Sequence, residues 1–182
     1  MVLVIVAVVV TVSLTNKHSD NLAKAHMFSV PARAGALVRQ TDATASSTGN
    51  SLLAAVKSQD PDGIISNPMV GVYSHAVDGA PGVILLGLNV ADSKELSHEM
   101  DTRSIDDVAG EILKSAGLND AKSYDAGTLG GTLQCGTLDE PHGKLATCVW
   151  LDHSTLGVVF QISGSPDQAA AITMDIRTAG EK

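Results

Sequence analysis

The chain has 182 residues, a formal net charge of −8 and a pI near 5.0. The length suits one domain of ordinary size with a tail. The acidic sequence contains no cluster of Lys and Arg. Because a nucleic-acid partner requires a basic patch, this argues against such a partner. Aromatic residues make up only 3%. We therefore expect a core of Val, Leu, Ile and Ala, and no exposed aromatic platform for sugars or bases.

The first 16 residues are the most apolar part of the chain, and the first charge is Lys17. In lipid, a single segment satisfies its own backbone only as a helix, and a spanning helix takes about 20 apolar residues. Residues 1–16 are therefore predicted to be a transmembrane anchor, truncated at its N-terminal end. One alternative is an unusual signal peptide without a basic n-region or a clear cleavage site. The other is a buried strand of a soluble protein.

Residues 17–67 are predicted to form a juxtamembrane spacer followed by an extended and loop region. Pro31 and Gly35 interrupt its extended part, and residues 42–51 are rich in Ser, Thr, Ala and Gly, which is typical of a loop. A short helix is predicted over residues 51–59, because Pro61 and Gly63 follow as stop residues.

Residues 68–180 are predicted to form the folded domain. Apolar runs predict strands over 70–75 and 83–90, and residues 121–125 are expected to form a short strand that leads into residues 129–162. A short helix is expected over 93–101, and the clearest helix over 104–116, where apolar residues recur at helical spacing behind Ser104 as N-cap. A last helix should begin at Pro166, after Ser165, and end near Thr178.

The region from Leu129 to Ile162 carries three short apolar runs separated by turn residues, which predict an antiparallel meander. Alternation places Ala146, Cys148 and Trp150 on one face of the middle strand, with Thr147 and Val149 on the other. The predicted class is α+β: an N-terminal hydrophobic helix, then one domain with an antiparallel sheet that ends in this meander. Two or three helices should pack on one side of the sheet.

The two cysteines, Cys135 and Cys148, lie on the two strands of one predicted hairpin, about equally far from its loop. Two cysteines in an exported chain are most simply a pair, so we predict a Cys135–Cys148 disulfide. The rival interpretation is two buried free thiols in a cytosolic domain. A metal site is disfavoured, because two isolated cysteines lack the usual ligand spacing.

The sequence holds no common catalytic or phosphate-binding motif. The glycines of residues 127–131 fit a tight entry into a strand. Asp152 and His153, followed by Ser154 and Thr155, are the one cluster that invites a mechanism, since a His oriented by a carboxylate can activate a hydroxyl. Their positions are consecutive in a turn, so the side chains should diverge. We therefore predict no catalytic residue, no cofactor and no metal ligand, and place Trp150 in the core against the disulfide.

Three further pieces are shared with a known set of proteins: FSVPARAGALVRQT at 28–41, VILLG at 83–87, and GGTLQCG followed by CVWLDHSTLGVV. With them the chain resembles uncharacterised, membrane-anchored extracytoplasmic proteins of actinobacteria such as streptomycetes. The pattern Cys-x-Trp-x-Asp-His is its most specific part. The resemblance implies an N-terminal anchor and an outward-facing domain. It also supports the disulfide, and it implies no activity.

The expected function is that of a non-enzymatic binding or accessory domain of the actinobacterial cell envelope. It would be held by a single membrane-spanning helix, with the C-terminal domain extracytoplasmic. Its partner would be another envelope protein or a small ligand. The alternatives are a cell-envelope hydrolase that uses Asp152 or His153 with a distant partner, and an extracytoplasmic sensor or regulator domain.

Overall fold

A computed structural model describes residues 26–60, 65–75, 81–118, 120–140 and 143–182. The predicted anchor, part of the spacer, the turn after residue 75 and His142 lie outside these ranges. In chain order the elements are β1 (Arg33–Ala34), β2 (Leu37–Arg39), α1 (Ala43–Gln59), β3 (Met69–His75), β4 (Pro81–Asn89), a 3₁₀ turn (Val90–Asp92), α2 (Lys94–Thr102), α3 (Ile105–Ser115), β5 (Lys122–Tyr124), β6 (Thr132–Glu140), β7 (Gly143–Leu151), β8 (Thr155–Ile162) and α4 (Pro166–Gly180).

The strands form one eight-stranded sheet in the order β1-β2-β3-β4-β8-β7-β6-β5, and every pair is antiparallel. The predicted α+β class with an antiparallel sheet and a C-terminal meander is thus confirmed. β4 joins the meander by pairing with β8, so the two hairpin systems become one sheet. The central strands β4 and β8 are buried on both faces over most of their length, as their largely apolar sequences favour.

Helices cover both faces of the sheet, and the prediction that they pack on one side was wrong. One hydrophobic cluster joins α4 to the face that carries Leu133, Cys148 and Trp150. The other joins α2 and α3 to the face that carries Val149 and Val158. Neighbouring residues of a strand point to opposite faces, so a strand that is apolar at every position needs a cover on each side.

Residues 26–60 form two strands of this sheet and the helix α1, where the sequence indicated a spacer and a loop. β2 pairs with β3, and α1 begins at Ala43, well before the predicted start at residue 51. Asp42 caps α1, since its carboxylate accepts the Ala45 amide at 2.8 Å. The Ser, Thr and Ala residues that resemble a loop are compatible with a helix once a cap is present. α1 packs on β3, and its Leu52 is 2% exposed.

Residues 26–29 run beside the end of α4 and are fastened to it through the backbone. The Met27 amide donates to the Lys182 carbonyl and the Lys182 amide to the Met27 carbonyl, both at 3.0 Å. Phe28 is buried and packs against Trp150 with the ring planes tilted by 60° and the centroids 5.3 Å apart. Within the described ranges, no helix combines the length and apolar character needed to cross a membrane.

The predicted disulfide is confirmed: Cys135 and Cys148 are bonded and stand directly opposite each other in the β6–β7 pair. Both are fully buried beneath α4 in the cluster that contains Trp150. The bond closes a loop with a sequence separation of 13, which should contribute about 3 kcal/mol by restricting the unfolded chain. It fixes the hairpin on which the functional region described next is built.

Candidate functional site

The turn between β7 and β8 is organised by the carboxylate of Asp152. Its Oδ1 accepts the backbone amides of Ser154 at 2.6 Å and Thr155 at 2.8 Å. The backbone closes the same turn, since the Asp152 amide donates to the Thr155 carbonyl at 3.0 Å. Asp and Ser occur in such turns because their side chains bond the local backbone. The turn leaves Oδ2 of Asp152 facing inward, toward α4.

Arg177 on α4 meets this inward oxygen and is fully buried. Its Nη2 donates to Asp152 Oδ2 at 2.5 Å, and its Nε donates to Glu181 Oε2 at 3.0 Å. Its Nη1 donates to the carbonyls of Ala126 at 3.0 Å and Gly130 at 2.8 Å. One guanidinium thus joins α4, the β7–β8 turn and the loop before β6.

The loop before β6 approaches the turn so closely that it requires glycine. Gly131 has φ +79°, and a Cβ on it would lie 2.3 Å from the Leu151 carbonyl oxygen. A side chain would therefore meet backbone as well as an unfavourable conformation. The tight strand entry predicted for residues 127–131 matches this geometry.

Trp150 and Thr155 extend the cluster into the core. The indole Nε1 of Trp150 donates to the Thr155 hydroxyl at 3.1 Å, and that hydroxyl donates to Glu181 Oε1 at 2.5 Å. Trp150 lies in the core with the disulfide, as predicted, and its ring fills the space above Gly157, where a Cβ would come within 2.0 Å of it. The aromatic ring is thus both a packing element and a hydrogen-bond donor to the cluster.

His26 completes the cluster from the N-terminal side. Its Nε2 lies 3.1 Å from Asp152 Oδ2 and 3.2 Å from Glu181 Oε2. Its backbone amide donates to the Ser154 hydroxyl at 3.3 Å. We call the five side chains of His26, Asp152, Thr155, Arg177 and Glu181 the ionic cluster. They bring together an N-terminal segment, a turn and the end of α4.

A cleft of about 220 Å³ opens beside the ionic cluster. Its walls come from the N-terminus of α3, the loop before β6, the β7–β8 turn and the N-terminal segment. The residues that line it are His26, Ser104, Ile105, Asp106, Leu129, Gly130, Gly131, Asp152, His153 and Ser154. The ring atom Nε2 of His153 is buried and has no hydrogen-bond partner among the described residues.

The α3 wall of the cleft is held by the corner between α2 and α3. Arg103 at this corner donates two hydrogen bonds to Glu111, at 2.6 and 2.9 Å, and one to Glu99 at 3.3 Å. These hydrogen bonds raise the pKa of Arg103 and lower the pKa of Glu111. Ser104 then caps α3, because its hydroxyl accepts the Asp107 amide at 3.2 Å. The first turn of α3 is thereby fixed beside the cleft.

His26, Asp152 and Glu181 are residue types that bind metal ions, and one ligand atom of each lies within 4.8 Å of the others. Their environment does not favour a metal site, because Arg177 already donates to both carboxylates. A metal ion at the same oxygens would face the guanidinium charge at close range. We therefore interpret these residues as part of the buried ionic cluster. On α2, His98 is exposed and the neighbouring Glu99 is buried against Arg103.

The sequence singled out Asp152 and His153, and the structure separates their roles. Asp152 lies inside the ionic cluster, whereas His153 faces the cleft. The sequence did not indicate that His26, Arg177 and Glu181 join Asp152 in the ionic cluster. A retrospective pattern exists for two of them: Arg177 and Glu181 are four residues apart, and Arg177 falls on the buried side of α4 with Thr173 and Ile176. An arginine on an apolar face demands buried partners.

Comparison with known proteins gives this chain no family. No protein-family model, no curated protein and no solved structure matches it significantly. The function therefore has to be inferred from the cleft and the ionic cluster themselves.

Proposed function

We propose that this chain is a non-enzymatic binding domain of the actinobacterial cell envelope, anchored by its N-terminal segment and facing outward. Its binding surface is the cleft beside the ionic cluster, and its partner is another envelope protein. The observation that carries the proposal is the cleft itself. It is a concave site beside the ionic cluster, whose charged groups are already hydrogen-bonded to one another and so stabilise the fold.

The size and charge of the cleft favour a protein partner over a small ligand. Small-molecule sites usually enclose about 300–1,000 Å³, whereas this cleft holds about 220 Å³, enough for one or two side chains. Asp106 on its rim is exposed, and the chain carries a net charge of −8. Complementary charge speeds and orients association, so the partner should present a basic side chain to this rim.

The hydrogen bonds that Asp152 already accepts argue against a hydrolase that uses it as a base. A general base needs a lone pair that can take a proton from the reacting group. Asp152 Oδ1 accepts two backbone amides, and Oδ2 accepts from Arg177. His26 beside Asp152 is the one arrangement in favour of the hydrolase alternative, because a carboxylate can orient a His base. If His26→Ala and His153→Ala variants that fold normally lost an envelope-hydrolysing activity of the wild type, the non-enzymatic proposal would be overturned.

The proposed extracytoplasmic location of the domain is supported by the disulfide. Structural disulfides persist in oxidising compartments and are rare in cytosolic proteins. The apolar residues 1–16 supply the proposed anchor. A sensor or regulator domain shares this address, and it would differ by a signalling segment attached to the chain.

The binding surface can be tested with a photo-crosslinking amino acid at position 106, with position 107 as the matched control. Both residues are exposed and stand in the first turn of α3, but only Asp106 lines the cleft. In cells of the native host, we expect a discrete protein adduct from position 106 and at least tenfold less from position 107. Equal adducts from both positions, or none from either, would contradict the proposed surface.

A further inference from the structure

Counted over the described residues alone, the ionic cluster has one positive charge fewer than negative charges when His26 is neutral. Asp152 and Glu181 each bring a negative charge, and Arg177 brings one positive charge. The side chains of Asp152 and Glu181 are 5% and 0% exposed, so solvent does not compensate the difference. An uncompensated buried charge is costly. A second proton on His26, whose Nε2 lies beside both carboxylates, makes the four groups neutral together.

We propose that His26 is a proton-dependent clasp that fastens residues 26–29 to the domain. These residues are held by hydrogen bonds that the undocked segment would lose, five of which come from backbone amides. They are donated by the amides of His26 to Ser154 Oγ, Met27 to the Lys182 carbonyl, Phe28 to Asn89 Oδ1, Ser29 to the Gly180 carbonyl and Lys182 to the Met27 carbonyl. The clasp adds a charge-dependent contact to this otherwise neutral set.

The direction of the pH effect follows from the groups that face His26. Among the described residues these are Asp152 of the turn and Glu181 and Arg177 of α4, with Asp106 of α3 and His153 on the walls of the same cleft. The two carboxylates in contact favour the protonated ring when the segment is docked. Docking therefore takes up a proton and is favoured as the pH falls through the range, about pH 5 to 8, in which imidazole changes charge.

The size of the effect is bounded by the number of protons. With one linked proton, the docking equilibrium changes by at most about tenfold per pH unit. The clasp lies directly after the segment proposed to lead to the membrane. Opening it would free residues 26–29 and uncover the Phe28 site on Trp150 and Gly87. His26 also lines the proposed binding cleft, but the test below measures only the docking of residues 26–29. The clasp and the binding function can therefore fail separately.

Hydrogen exchange of the full chain tests the clasp. We would measure protection factors of the Met27, Phe28 and Lys182 amides between pH 5.5 and 8, corrected for intrinsic exchange. In the wild type we expect protection to fall at least fivefold toward pH 8. His26→Gln retains a donor but cannot take the second proton, so its protection should be independent of pH. The control His98→Gln changes an exposed histidine of α2 and should behave as the wild type.

A second variant removes the charge imbalance by taking away a negative charge. Glu181→Gln leaves one carboxylate and one guanidinium, so a neutral His26 completes a balanced cluster and the pH dependence should shrink. Wild-type protection that does not change with pH would overturn the clasp. So would a His26→Gln variant that keeps the full pH dependence, because the linked proton would then lie elsewhere.

Discussion

Replacing Arg177 with methionine is expected to lower the free energy of unfolding by about 3–5 kcal/mol, because it breaks a buried ion pair by removing one partner. Methionine fills much of the same space but donates no hydrogen bond. Asp152 and Glu181 would then be two buried carboxylates without the guanidinium that pairs with both of them, and the carbonyls of Ala126 and Gly130 would lose their donor. Urea unfolding at neutral pH, followed by circular dichroism, measures the difference.

The control is Arg33→Met, which changes an exposed arginine on β1 and should alter stability by no more than about 0.5 kcal/mol. A partial rescue gives a sharper test. Combining Arg177→Met with Asp152→Asn and Glu181→Gln removes the unpaired charges and should recover part of the loss. An Arg177→Met variant as stable as the Arg33→Met control would show that the ionic cluster does not hold α4 to the turn.

Truncation of Trp150 to alanine is expected to cost about 3–5 kcal/mol, because it empties a large core site. Trp150 is fully buried, packs on Phe28 and lies over Gly157, where it leaves no room for a Cβ. The change also removes the indole donor to Thr155. Thermal or urea unfolding would measure the loss. Both wild type and variant would be kept oxidised, so that the disulfide is the same in each.

Trp150→Phe separates packing from hydrogen bonding in this site. The phenyl ring keeps the contact with Phe28 but leaves the Thr155 hydroxyl without its indole donor, so we expect a smaller loss than for alanine, about 1–3 kcal/mol. If phenylalanine and alanine at position 150 were equally destabilising, the ring would matter chiefly as a hydrogen-bond donor. If both were neutral, the core assignment would be contradicted.

Local patterns predicted the elements whose determinants lie within a few residues. Ser104 and Ser165 are N-caps that can be recognised from sequence, and the alternation around Cys148 places the disulfide and Trp150 on one face. The start of α1 was missed because its Ser, Thr and Ala residues favour a loop and a capped helix about equally. Only packing on β3 decides between them.

The ionic cluster could not be predicted, because its members are far apart in the chain. His26 and Glu181 lie near opposite ends of the described chain and come together only through the tertiary fold, and no period or motif links their positions. The presence of helices on both faces of the sheet was missed for a related reason. The apolar run of β4 indicates burial on both faces, but it does not identify which helices supply the two covers.

The most direct test of the outward-facing, disulfide-bonded domain is the redox state of Cys135 and Cys148 in the native host. The protein would be recovered from the membrane fraction, with free thiols blocked at lysis, and its mass compared with and without reduction before a second alkylation. We predict a Cys135–Cys148 bond in membrane-bound protein. Free thiols in protein recovered from the soluble fraction would contradict the proposed address and the anchor together.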